Sequence, residues 1–231
     1  MIVQVVMLPI GWVLVIIIYH GGAESYAPGF VKWMLILAAL MTTWLGTEIF
    51  AQKFNWDGPA AAMLFLTPIS RREMLAAKSF AVVMPAAAAN ALGLAAAWAV
   101  TGAPLEFGIC AAAMLGCGLA IGDAHGSLIS LIAPVNLQAF HRGRARRNID
   151  QRRCITQFIL HFATGFLVLA QLPLFALLAP GLFMRSPALE LAGAAACAAL
   201  THYYTRWVRA DAARMLSGRE AAIWRLLKDP F

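Results

Sequence analysis

The stretch LEFGICAAAMLGCGLAIGDAHGSLISLI, Leu105–Ile132, is 28 residues of mostly Ala, Gly, Leu and Ile, with Glu106, Asp123 and His125 as its ionisable side chains. About 20 apolar residues cover the ~30 Å hydrocarbon layer of a bilayer, so the stretch predicts a transmembrane helix with length to spare for tilt. Comparable runs lie on both sides of it, at Ile2–Ile18, Val31–Ile49, Ser79–Val100, Cys154–Ala179 and Pro187–Tyr204. The chain has 231 residues, 61% hydrophobic and 13% charged, with a mean hydropathy of +0.74. That composition leaves no soluble domain to place. The expected fold is therefore all-α, a polytopic α-helical membrane protein with about six transmembrane helices over residues 1–208, followed by a tail at 209–231. Pro85 is a kink point in the third run, and Pro173 and Pro180 are expected to break the fifth near its end.

Met1 opens directly on an apolar run with no basic residues before it, and further runs follow. The first run thus reads as a span, not a cleaved leader. So abrupt a start leaves open that the chain is half of a longer protein.

Cations set the orientation, because short cytoplasmic loops are rich in Lys and Arg. The first and fifth connections carry only Lys32 and Arg185, and the third carries none. The second holds Lys53, Arg71, Arg72 and Lys78; the fourth, a basic loop over 135–153, holds Arg142, Arg144, Arg146, Arg147, Arg152 and Arg153; the tail holds Arg206, Arg209, Arg214, Arg219, Arg225 and Lys228. Both termini are then expected in the cytoplasm and the chain in the cytoplasmic, or inner, membrane. The net charge of +7 is accounted for by topology and attraction to anionic lipid in the bilayer, without nucleic acid, since the basic loop lacks interleaved aromatics for base stacking.

Between the second and third spans, "NWDGPAAAMLFLTPISRREMLAAKSF" (Asn55–Phe80) is only half apolar. Asp57 and Gly58 before Pro59 signal a helix start, predicting a short helix to about Leu66 that carries Leu64 and Phe65. Thr67-Pro68 interrupts it. Ser70 and Glu73 then form a capping box, with Ile69 and Met74 as its hydrophobic staple, so a second helix begins at Ser70 and runs through Arg71, Arg72 and Lys78 into the third span. Two uses suit such a segment: a surface for a protein partner, or an amphipathic helix in the headgroup layer with Arg71 and Arg72 on phosphates.

The order of two spans, this segment, a small-residue span ending "SLISLIAPVNLQAF" and a basic loop resembles permease subunits of ABC-2 type exporters. In that family the corresponding segment follows a pattern met here by Asn55, Asp57, Gly58, Leu66, Thr67, Pro68, Ile69, Ser70 and Lys78, and a later pattern is met by Ser130 and Pro134. The resemblance covers about Thr47–Phe140. It implies that 55–78 is a coupling segment docking on a separate ATP-binding ABC subunit, and that the permease pairs with another copy or a related chain. A non-transport membrane protein, such as an assembly factor or a lipid-metabolism enzyme, is the alternative from another class.

No GxxxxGK[ST] phosphate loop occurs, so ATP chemistry by that route has to come from the partner. Ala62 stands where the CDP-alcohol phosphotransferase signature needs Arg, which argues against that enzyme class. No catalytic, cofactor or metal set is expected: Cys110, Cys117, Cys154 and Cys197 lack ligand spacing and read as small packing residues. Asp123 and His125 on the fourth span, and Gln157 and His161 four apart on the fifth, are the candidate path or relay residues. The plainer readings are headgroup immersion for the first pair and interhelical hydrogen bonding for the second. Gly118, Gly122 and Gly126 form a small-residue row suited to close packing, within the chain or between copies. Ser217 and Glu220 suggest a second capping box, starting a separate surface helix anchored by Trp224.

Overall fold

The computed structural model describes residues 10–21, 30, 33–41, 50, 68–132, 171–184 and 186–228. All regular structure among them is helical: α1 (Ile10–His20), α2 (33–41), α3 (Arg71–Thr101), α4 (Leu105–Ile132), α5 (Leu172–Met184) and α6 (Pro187–Lys228). Two of these, α3 and α4, are long and apolar enough to cross a membrane.

The third run is as expected at its start. Ser70 caps α3, which runs without interruption through Lys78 and Pro85. It ends because Gly102 adopts a left-handed conformation (φ 56°, ψ 23°) that a side chain would disfavour, while its amide bonds back to the Trp98 carbonyl. Ala103 and Pro104 complete the turn into α4, whose bounds match the predicted span.

The chain bends back at this turn, so α3 and α4 are antiparallel. α6 descends beside α4: Cys110 near the start of α4 meets the Glu190 carbonyl near the start of α6. At the other end Met74 and Leu75 of α3, Leu131 of α4, and Ala212 and Leu216 of α6 form one apolar cluster. α4 lies in the middle, with residues buried along almost every turn, including Gly118, Gly122 and Gly126. The main core gathers Trp12 from α1, Leu35 and Ile36 from α2, Ala97 from α3, Met114 from α4, and Leu178 and Cys197 from α5 and α6. Trp12 also donates to the buried Asn90 side chain at 3.0 Å, fixing α1 on α3.

α3 is different in character. It buries few residues and exposes Phe80, Met84 and Leu92, the last 73% exposed.

Two boundaries differ from expectation. Of the fifth run, 154–170 lie outside the described residues. Its remainder forms α5, which takes Pro173 in its first turn, where the missing amide costs no helical bond, and passes through Pro180 to Met184. The sixth run does not stop at Tyr204. α6 is one helix of 42 residues, ~63 Å long, so the expected tail is continuous with the sixth apolar run. No second capping box forms at Ser217, whose hydroxyl donates to the Arg214 carbonyl one turn back, as in a helix interior. The physical reason is local: Ala212, Ala213, Met215 and Leu216 are good helix formers, and Ala212 and Leu216 are held in the apolar cluster.

Candidate functional site at the basic end

The start of α3 carries the described part of the proposed coupling segment. The amide of Glu73 donates to the Ser70 hydroxyl at 3.2 Å, and the amide of Ser70 donates to the Glu73 carboxylate at 2.9 Å. Two helix-end amides that lack intrahelical partners are thereby satisfied. Hydrogen bonding to the Ser70 side chain, and then to its amide, holds the Glu73 carboxyl below its ordinary value. Ser70→Ala is expected to weaken this helix start by about 1 kcal/mol. Hydrogen exchange should then quicken at the amides of Arg72, Glu73 and Met74 and stay unchanged in α4; unchanged exchange in that first turn contradicts the cap.

Pro68, Ser70, Arg71, Arg72, Glu73 and Lys78 therefore sit on one helix start, at the end of the bundle where α4 finishes and α6 passes residues 206–216. Asn55, Asp57, Gly58, Leu64 and Phe65 lie outside the described residues, as do Gln157 and His161.

Asp123 and His125 both meet partners on α6. Asp123 lies nine residues before the end of α4, ~14 Å along its axis, and is fully buried. Its carboxylate receives a hydrogen bond and ion pair from Arg209 of α6 at 2.9 Å, and the Arg209 side chain is half exposed. His125 Nε2 lies 2.5 Å from the Tyr204 hydroxyl, again bridging α4 and α6. α6 covers Asp123, and burial of a carboxylate requires such a partner. Ser127 and Ser130 extend the polar strip by donating to the carbonyls of Asp123 and Ser127.

Gly126 shows how the small row is used. A Cβ there would lie 2.5 Å from the Phe50 carbonyl carbon and 2.6 Å from its oxygen, so backbone rests on backbone. Gly126→Ala is expected to cost about 2 kcal/mol by overpacking. Gly116→Ala on the same helix meets nothing within 4 Å and should cost nothing. Thermal unfolding in detergent separates them, and equal midpoints for the two variants contradict the close approach.

Among the described residues no group of three His, Cys, Asp or Glu side chains could hold a metal ion. Cys110, Cys117 and Cys197 are buried, Cys197 donating to the Leu174 carbonyl at 3.1 Å; Cys154 lies outside the described residues. Arg209, Tyr204 and Asn90 are the functional or structural polar residues that sequence reasoning did not single out. No protein-family model, curated protein or solved structure matches the chain.

Proposed function

We propose that the chain is the membrane-spanning permease subunit of an ABC-2 type exporter, with six spans, both termini cytoplasmic, and transport driven by ATP hydrolysed on a separate subunit. One observation carries most weight. Every described Lys and Arg side chain, namely Arg71, Arg72, Lys78, Arg206, Arg209 and Arg214, belongs to the half of the bundle nearer the start of the capped α3 and the end of α4. The opposite end, around Gly102, Leu105 and Pro187, bears Glu106 and Glu190. That polarity supports a cytoplasmic basic end by the positive-inside rule. The exposed Phe80, Met84 and Leu92 of α3 support a lipid-facing helix. A helix launched by a capping box from the basic end suits a cytoplasmic coupling segment, since it runs on from the end of that segment.

Topology is testable alone. Reporter fusions at Gly22, Gly102 and Arg185 should read outside, and those at Arg144 and Phe231 inside; an outside signal at Arg144 sinks the arrangement. The transport reading is tested by purifying the chain with and without a candidate ATP-binding ABC subunit. Hydrolysis is expected only with that subunit present. Turnover by the purified chain alone, or no association with the subunit, contradicts the proposal.

A further inference from the structure

A groove of about 1040 Å³ opens between α3 and α6, with Ser127 of α4 among the residues lining it. Its walls have two characters. Arg72 of α3 and Arg206 and Arg209 of α6 line it, together with Phe80, Val83 and Met84 of α3 as an apolar wall. From Arg72 to Met84 is 12 residues along α3, ~18 Å. Phe80 and Met84 are half-exposed or more, and Arg72 and Arg206 are exposed.

We infer that this groove seats a phospholipid of the basic-end leaflet, its anionic headgroup on Arg72 and Arg206 and its upper acyl chain along Phe80, Val83 and Met84. Arg209 is already committed in part to Asp123, which leaves Arg72 and Arg206 as the principal headgroup contacts. Guanidinium groups bind phosphate oxygens in paired hydrogen bonds, and Arg clusters beside a membrane helix attract anionic lipid. The apolar wall excludes a free anion as the best occupant, because a free anion leaves Phe80 and Met84 uncovered. A second copy docked symmetrically on this face brings the same three arginines against these, with like charges opposed. The site rests on the chain lying in a bilayer with this end at an interface, and is independent of any ATPase.

The test uses the full chain in detergent with added phosphatidylglycerol, phosphatidylcholine or inorganic phosphate, read by thermal stabilisation and by native mass spectrometry of retained lipid. Phosphatidylglycerol is expected to be retained and to stabilise, with phosphatidylcholine and phosphate weaker. Arg72→Gln with Arg206→Gln should weaken phosphatidylglycerol binding about 30-fold, roughly fivefold per guanidinium. The Lys pair at the same positions should keep most of the selectivity, which shows that the charge and not the fold was lost. Arg225→Gln with Lys228→Gln removes the same charge farther along α6 and should leave binding unchanged. Equal binding of the two lipids, stabilisation by phosphate alone, or equal loss in the distal pair overturns the site. If topology reporters place the basic end outside, the membrane orientation fails while phosphatidylglycerol retention still stands or falls on its own.

Discussion

Arg209→Ala is expected to destabilise the bundle by about 3 kcal/mol, the low end of the cost of stripping one partner from a buried ion pair. The low end applies because the Arg209 side chain is half exposed while Asp123 is fully enclosed, so the damage comes from the carboxylate left behind. Coulomb attraction lost at the exposed guanidinium is the smaller part. Asp123→Asn combined with Arg209→Gln should therefore recover much of the loss, since a neutral amide pair leaves no buried charge. Thermal unfolding of the four proteins in one detergent forms the cycle. Single variants as stable as the parent, or a double variant as damaged as the sum of the two, contradict the pairing.

How much of this was legible beforehand follows from the range of each interaction. The bounds of α4 were readable because an apolar run enters at Leu105 just after Gly102, Ala103 and Pro104, and the reasons for a break lie within those few residues. The cap at Ser70 was equally readable, its two hydrogen bonds spanning three residues. The same local pattern at Ser217 misled, because Ser and Glu three apart state only that a helix could begin there. Whether one does depends on the residues before it, and α6 arrives already helical with Ala212 and Leu216 packed in the basic-end cluster.

The polar pairs were out of reach for another reason. Asp123 was visible as an ionisable group in an apolar run, yet its partner is 86 residues away in sequence. Arg209 read equally well as one more topology cation in the tail. The extension of α6 past Tyr204 is what brings it beside α4, so the error in the helix end and the missed ion pair have one cause. Asn90 and Trp12, 78 residues apart, pose the same difficulty. The glycine row announced close packing without its partner, which proved to be Phe50 at Gly126.

The second large effect concerns Leu64 and Phe65, the apolar anchors expected in the short helix ahead of Ser70. A helix of about eight residues presents little area, so one or two side chains have to supply most of its docking energy. Truncating such an anchor costs roughly 2 kcal/mol or more, about 30-fold in affinity. Arg71 and Arg72 should contribute less, unless they meet acidic groups in a desolvated position. In a purely lipid-bound helix the same truncations loosen membrane contact slightly and leave subunit association untouched.

The deciding measurement is made on the chain co-expressed with a candidate ATP-binding ABC subunit, carrying Leu64→Ala plus Phe65→Ala, at equal membrane abundance. Co-purification of the subunit and transport-coupled ATP hydrolysis are compared with the parent. A permease that docks through residues 55–78 loses at least about 30-fold in association, with coupling lost in step; association and coupling both unchanged would remove the docking role and the case for an ABC-2 permease with it.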